Sequence, residues 1–403
     1  MHGLSGRDQR NAEEVVLIRP DFLVLKKNII SRILLDNPPG LYVHIPFCLS
    51  KCPYCDFYSQ TDLTLVPRWL AALEKEIAHY QNQFFVFDTL YLGGGSPSTL
   101  LEDELGRLLE ALFSRFKFEV KTEMTFEANP NDLNPAKLKR LSQLGINRIS
   151  LGVQSFDDQE LVFLKRRHTA GGAEAVLAWI REAGFDNLGI DLLYGLPGQT
   201  TQQWLATLEK TLTFSPEHLS CYQLTLAKGT FFWGLKEKGH LQPINEEEER
   251  DFFITTSRFL EDHGYIHYEI SNFAREEIYL SKHNQKYWRR EPYLGLGPSA
   301  HSFQENRRWW NFRSLHKYCQ ALEQDEVPIE GQEELNAEQI RLETISLGLR
   351  TKAGLDLSDL GDAPDLEKKI NRLVESGWAM IENNRLSPTI EGFLVADQLP
   401  LLF

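Results

Sequence analysis

Positive charge is in deficit in this chain of 403 residues: 43 Lys and Arg face 57 Asp and Glu, for a formal net charge of -14. Such a chain has no broad electrostatic grip on a phosphate backbone or an anionic surface, which excludes nucleic acid as a partner and leaves any membrane contact at most peripheral. Long apolar runs are missing too. None approaches the roughly 20 residues that span a bilayer, and Glu13 and Glu14 sit where a signal peptide would be basic and then apolar. The expected location is the cytoplasm. Cysteine is scarce, at five residues, an odd number, and three of these fall within eight positions, at Cys48, Cys52 and Cys55. A secreted disulfide scaffold spreads its pairs along the chain, so a reducing compartment and a metal site fit better. No internal repeat or low-complexity tract stands out, which removes the solenoid architectures.

What is present is an ordinary globular composition, 42% hydrophobic and 25% charged, able to bury a full core. A break at Pro38-Pro39-Gly40 separates a leader, residues 1–40, from the first strand-like run. Short β-rich runs recur at 41–45, 88–92, 121–127, 148–153, 187–193 and 218–224, and stretches such as 69–81 and 101–116 between them repeat apolar residues at helical spacing. This rhythm predicts parallel strands with crossover helices. Six units are too few to close an eight-stranded barrel, so the expected fold is α/β, a partial, open (β/α)6 barrel over residues 41–230 with its chemistry at the C-terminal strand ends. An acidic helix is expected at 246–263 and a loop-rich, aromatic stretch at 283–312, within a barrel extension over 231–330. Helices followed by a hairpin-like ending at 378–386 suggest a smaller α+β, winged-helix-like domain over 331–403.

The cysteines read His44-Ile-Pro-Phe-Cys48-Leu-Ser-Lys-Cys52-Pro-Tyr-Cys55-Asp56, a Cys-x3-Cys-x2-Cys arrangement on the loop leaving the first strand. Three thiolates hold three irons of a cubane. Ferredoxin-type clusters use a fourth cysteine, and Phe57 stands two residues after Cys55, which leaves one iron without a protein ligand. An open position is what a metal site needs if a small molecule is to bind the metal directly. Zinc is the competing reading; it requires a fourth Cys or His, and His44 precedes Cys48 on the strand.

The motif resembles that of the radical S-adenosylmethionine (SAM) superfamily. More narrowly, Tyr42-Val-His-Ile-Pro-Phe-Cys48 resembles the anaerobic coproporphyrinogen-III oxidase-like family that contains the oxidase HemN and the haem chaperone HemW. The resemblance covers about residues 41–320. It implies a [4Fe-4S] cluster whose open iron chelates SAM and delivers the electron that yields a 5'-deoxyadenosyl radical; the cofactor carries the reactivity and the protein the placement. Leu92-Gly93-Gly94-Gly95-Ser96-Pro97 resembles the family's GGGTP segment, with Ser96 keeping the hydroxyl of the usual Thr; read alone, it is a strand end where any Cβ would collide with a neighbour or ligand, or a tight turn. Glu127, at the end of the third run, matches the ribose-binding Glu. Gln154, Arg166 on the helix after the fourth run, and Asp191 match positions lining the SAM pocket, to which the resemblance adds Tyr42 and Tyr54. Each polar residue could instead tie strand ends together.

Two features point within the family toward the haem-chaperone branch. Asp56-Phe57 replaces the fourth cysteine of the oxidases, and His283-Asn284-Gln285-Lys286-Tyr287-Trp288 matches the HNxxYW motif associated with HemW. The resemblance thus implies haem as a further ligand, a haem-accepting partner protein and an electron donor such as flavodoxin or ferredoxin. Oxygen-independent oxidation of coproporphyrinogen III is the alternative activity, and a cluster protein that makes no use of SAM is a third reading. A neutral imidazole is a good haem-iron donor, which makes His283 the expected ligand, His301 its rival, and Tyr287 and Trp288 packing partners for the macrocycle. Arg289, Arg290, Arg307, Arg308 and Arg313 form an expected basic patch for propionates. The family's LTxExGT stretch reads Leu224 to Thr230 with Ala227 in place of the Glu, and Cys221 and Cys319 read as packing residues. No catalytic residue is assigned.

Overall fold

Alternation within the β-rich runs positions everything else. In Arg148–Gln154 the side chains of Ile149, Leu151 and Val153 are fully buried on one face, while Arg148, Ser150, Gly152 and Gln154 look the other way into a cavity. The same period of two runs through the neighbouring strands. Leu90 and Leu92, Leu188, Ile190 and Leu192, and Leu219 point outward, and Tyr91, Asp191, His218 and Ser220 point inward. The outer face is therefore covered by helices and the inner face lines the cavity.

The computed structural model describes residues 37–84, 86–361 and 365–403; most of the leader expected over residues 1–40 lies outside the described residues. Strands β1 (Gly40–Ile45), β2 (Phe87–Gly94), β3 (Phe118–Ala128), β4 (Arg148–Gln154), β5 (Leu188–Tyr194) and β6 (His218–Gln223) lie side by side in chain order. All five pairings are parallel, with Leu41 opposite Leu90, Glu127 opposite Ser150 and Gly189 opposite His218. The crossovers are α1 (Val66–Tyr80), α2 (Glu102–Arg115), α3 (Pro135–Gln143), the pair α4 (Asp158–Phe163) and α5 (Ala170–Glu182), and α6 (Thr201–Leu212). This is the expected open six-unit barrel. Leu164 to His168 do not ride on a helix: α4 stops at Phe163, and Lys165 adopts φ 51°, so Arg166 sits on a turn aimed back at the strand ends.

Beyond β6 come α7 (Phe231–Glu237) and the acidic α8 (Glu246–Asp262), capped by Asn245. Strands β7 (Ile266–Glu269) and β8 (Asn272–Ala274) extend the sheet antiparallel past β6. The stretch 283–312, expected as loops, instead holds most of a helix, α9 (Lys282–Trp288), and three strands, β9 (Tyr293–Leu296), β10 (His301–Gln304) and β11 (Arg307–Asn311). β9 pairs parallel with β1, and β10, β11 and β12 (Ile329–Glu334) continue outward, completing a 12-stranded sheet. Their brevity and their glycines hide them from a periodicity reading. Gly295 is demanded by contact, since a Cβ there would meet the His301 carbonyl oxygen at 2.1 Å.

After α10 (Leu315–Glu323) and β12, the C-terminal region pairs α11 (Ala337–Gly348) and α12 (Leu366–Glu375) with a small sheet of β13 (Leu355–Asp356), β14 (Ala379–Glu382) and β15 (Arg385–Pro388). Ile345, Leu349, Leu360, Leu373 and Leu386 give it a hydrophobic cluster of its own. The hairpin expected at 378–386 is present. No described helix is long and apolar enough to cross a membrane.

One carboxylate stitches the outer strands to the barrel. Glu76 lies on the same stripe of α1 as Leu73, Ile77 and Tyr80 and is fully buried, yet it accepts from Gly297 N–H (2.8 Å), Asn311 Nδ2 (2.5 Å) and Tyr318 Oη (2.6 Å). Burial raises its pKa from 4.5 to about 7. The folded state therefore holds this proton more tightly than the unfolded chain, and Glu76 makes stability fall as pH rises between those values. Glu76→Gln is predicted to flatten that part of the pH dependence of thermal unfolding. Glu76→Ala, which strands three donors, is predicted to cost about 3 kcal/mol or more; an unchanged unfolding midpoint in the Ala variant would contradict the network.

Candidate functional site

The cysteine loop leaves β1 and folds back on itself. Cys48 N–H bonds to the Gln60 carbonyl (3.0 Å), Gln60 N–H to the Pro46 carbonyl (2.9 Å) and Cys55 N–H to the Cys52 carbonyl (3.2 Å). All three cysteines are free and half-buried. They line the mouth of a cavity of about 430 Å³ whose walls include Tyr54, Gly94, Gly95, Ser96, Glu127, Gln154, Arg166 and Asp191. Of the residues expected in the SAM pocket, Tyr42 alone does not line this cavity; its hydroxyl lies 3.0 Å from His44 Nδ1.

The triple glycine is required by the strand ends themselves. Gly95 N–H bonds to the Ile45 carbonyl (2.9 Å) and Ser96 N–H to the Phe47 carbonyl (2.8 Å). A Cβ on Gly95 would stand 2.7 Å from the Phe47 oxygen, one on Gly94, at φ +107°, 2.5 Å from the His44 ring, and one on Gly93 2.9 Å from Glu127 Oε2. At the facing strand end Gln154 takes φ 72°, a left-handed conformation uncommon outside glycine, and lines the cavity.

The thiols fit a cluster of cations. Burial, reinforced by the other two cysteines, pushes the Cys48 thiol up to about 11, and burial raises Cys55 as well, so these two become thiolates here only if metal replaces their protons. Among the described residues no three His, Cys, Asp or Glu side chains converge to hold one ion. Cysteines that each bind a different iron of a cubane have no need to converge. His44 is not poised as a fourth ligand: its nitrogens are engaged by Tyr42 and by the Tyr58 carbonyl (2.9 Å), and burial lowers its pKa to about 4. Arg166 reaches Cys52 Sγ (3.3 Å) and the Gly152 carbonyl (2.6 Å), and also bonds Asn129 Oδ1.

Deeper in the lumen the polar groups are desolvated. Glu127 accepts from Tyr91 Oη (2.7 Å) and Gly94 N–H (3.2 Å), and burial, aided by repulsion from Asp191, raises its pKa to about 7. Asp191 accepts from Ser150 (3.2 Å) and is likewise raised by burial. Asn129, Arg148, His218, Tyr222 and Asn284 also line the cavity. Sequence reasoning missed these as site residues, although the inward phase of β4 and β6 marks Arg148, His218 and Tyr222.

The residues expected to meet haem do not form one face. His283 is 1% exposed, its Nδ1 lies 2.8 Å from Thr89 Oγ1, its Nε2 2.9 Å from Tyr287 Oη, and burial drops its pKa to about 3. Trp288 turns away, under the Arg350 guanidinium. Two of the five arginines of the expected basic patch are neutralised: β11 lies in register with the acidic β12, Arg308 pairs with Glu333 (3.1 Å) and Glu343, and Arg290 pairs with Glu343 (2.8 Å). His301 is exposed and stacks on Trp310, its cross-strand neighbour, with ring centroids 5.8 Å apart.

Because backbone oxygens crowd position 95, Gly95→Ala is predicted to cost about 1–3 kcal/mol and to lower iron and sulfide loading after anaerobic reconstitution, although all three cysteines remain. Wild-type loading in that variant would contradict this seating of the loop.

A family model described as the radical SAM superfamily matches residues 42–211. Heme chaperone HemW from Synechocystis sp. is 36% identical over 341 residues, 82% of this chain and 82% of that protein. Radical S-adenosyl methionine domain-containing protein 1, mitochondrial, from Mus musculus is 32% identical across 90% of this chain and 86% of its own length. Among solved structures, coproporphyrinogen III oxidase (HemN) from Escherichia coli superposes with a TM-score of 0.79 at 25% identity, covering 91% of this chain and 90% of that one. With the cysteine loop, the glycine seat and the polar lumen on one (β/α)6 scaffold, the chain belongs to the radical SAM superfamily and, within it, to the HemN/HemW family.

Proposed function

We propose that this protein is a haem chaperone that binds a [4Fe-4S] cluster through Cys48, Cys52 and Cys55, SAM in the lumen cavity, and haem for transfer to an acceptor protein. The observation that carries this reading is the three-cysteine loop seated over a polar cavity in a chain about a third identical to proteins named heme chaperone HemW. The cluster supplies an electron and an iron position that no cysteine fills. The chain's own part is placement: Glu127 and Asp191 offer carboxylate oxygens to hydroxyl donors, Gln154 and Arg166 close the mouth, and Tyr54 stands beside Arg166 at 3.5 Å. The reading implies an electron donor, such as flavodoxin or ferredoxin, that would reduce the cluster.

For haem, geometry favours His301 over His283. A ligand at His283 would have to displace two hydrogen bonds at a buried side chain, whereas His301 has no hydrogen-bonded ring nitrogen among the described residues and lies beside an indole face.

A second reading, oxidation of coproporphyrinogen III, is favoured by the superposition on HemN. The two are separated by one reconstituted, anaerobic sample assayed twice. The chaperone reading predicts a Soret band on haem titration that weakens in His301→Ala more than in His283→Phe, and no decarboxylated product from coproporphyrinogen III with SAM. Turnover to protoporphyrinogen would overturn it, and a haem titration untouched by His301→Ala would overturn the ligand assignment.

A further inference from the structure

Arg148 opens β4 on the lumen side, is 2% exposed and lines the cavity. Its Nε is buried without a hydrogen-bond partner, and none of the ion pairs among the described residues includes it. Thr125 Oγ1, on the register partner of Arg148 in β3, and His218 Nδ1 are buried and unpartnered beside it. Gly189 borders the same space, since a Cβ there would stand 3.6 Å from Arg148 Nη2 and 3.5 Å from His218 Nδ1, ordinary contact distances. Leaving a guanidinium in such a place costs several kcal/mol unless its charge is used.

The groups that feel this charge identify its use. Glu127 from β3 and Asp191 from β5 are both attracted by Arg148. The other titratable groups around it are Tyr91 from β2, His218 from β6, Tyr268 from β7 and His283 from α9; burial disfavours the charged form of each. Tyr42 and Tyr287 face Glu127 as well, and burial keeps both as phenols. Glu127 and Asp191 are thus two carboxylates that feel its charge, and they repel each other; Asp191 is also attracted by Arg166, the other guanidinium in the cavity wall.

We propose that Arg148 is a positioning residue for SAM, a fixed cation whose field favours the ionised forms of Glu127 and Asp191 while leaving their remaining lone pairs to the ligand. A direct ion pair would occupy those oxygens. A guanidinium held off from them still acts, because it cannot lose its proton and the lumen screens it weakly. Without it, two buried carboxylates that repel each other hold a proton to higher pH. This inference rests on the reading that Glu127 meets SAM.

The test is SAM affinity, by equilibrium dialysis on the cluster-loaded full chain under anaerobic conditions, between about pH 6 and 9. Wild-type affinity is expected to fall on the acid side as the carboxylates protonate. Arg148→Met is expected to shift that fall upward by about one unit, which weakens binding about tenfold at neutral pH and spares it in alkali; Arg148→Lys keeps the charge and is expected to restore most of the profile. A Met variant weakened equally at every pH, a profile that does not move, or equal failure of Met and Lys overturns the proposal. Glu127→Gln separates it from its premise. If that variant binds SAM as the wild type does, the site reading itself fails; if it loses the pH dependence while Arg148→Met leaves the dependence unmoved, only the role of Arg148 fails.

Discussion

Two backbone hydrogen bonds, from Gly95 to the Ile45 carbonyl and from Ser96 to the Phe47 carbonyl, fasten the cysteine loop to the second barrel strand. Everything chemical in the molecule depends on them, because they fix where three sulfur atoms stand over the lumen. The cost is local: strand β2 ends in residues that tolerate no side chain, where Cβ atoms would meet backbone oxygens and the His44 ring within 3 Å. Glycine here is dictated by the approach of one strand end to another, and the same approach brings Gly94 N–H onto Glu127.

The second constraint is electrostatic. An inward phase made of Tyr91, Glu127, Arg148, Asp191 and His218 puts a cation and two carboxylates where water is scarce, and such a lumen persists only if the charges answer one another. Glu76, behind the sheet, solves the same problem differently, with three donors and no cation. The contrast separates a structural carboxylate, whose oxygens are filled, from one whose remaining lone pairs face a cavity.

The barrel is legible in the sequence because its strands alternate. β1 to β6 fall within a few residues of the expected runs, and the spacing of Cys48, Cys52 and Cys55 is enough to mark the loop. The antiparallel flank is not legible, since β9 and β10 span four residues each and Gly295 in β9 answers to a contact with His301 across the strands. Linear adjacency misleads for the HNxxYW segment as well. On α9, His283 and Tyr287 are four residues apart and meet on one face, Asn284 lines the cavity, and Trp288 turns toward Arg350. His301 owes its prominence to a cross-strand tryptophan that spacing alone does not reveal.

The most direct test of a cluster held by three sulfurs with one iron left open is electron paramagnetic resonance of the reduced, oxygen-protected protein, recorded before and after SAM is added. The expected result is the signal of a reduced [4Fe-4S] cluster whose line shape changes on addition, as the ligand takes the open iron. A protein with no such cluster, or a signal indifferent to SAM, would contradict the central claim.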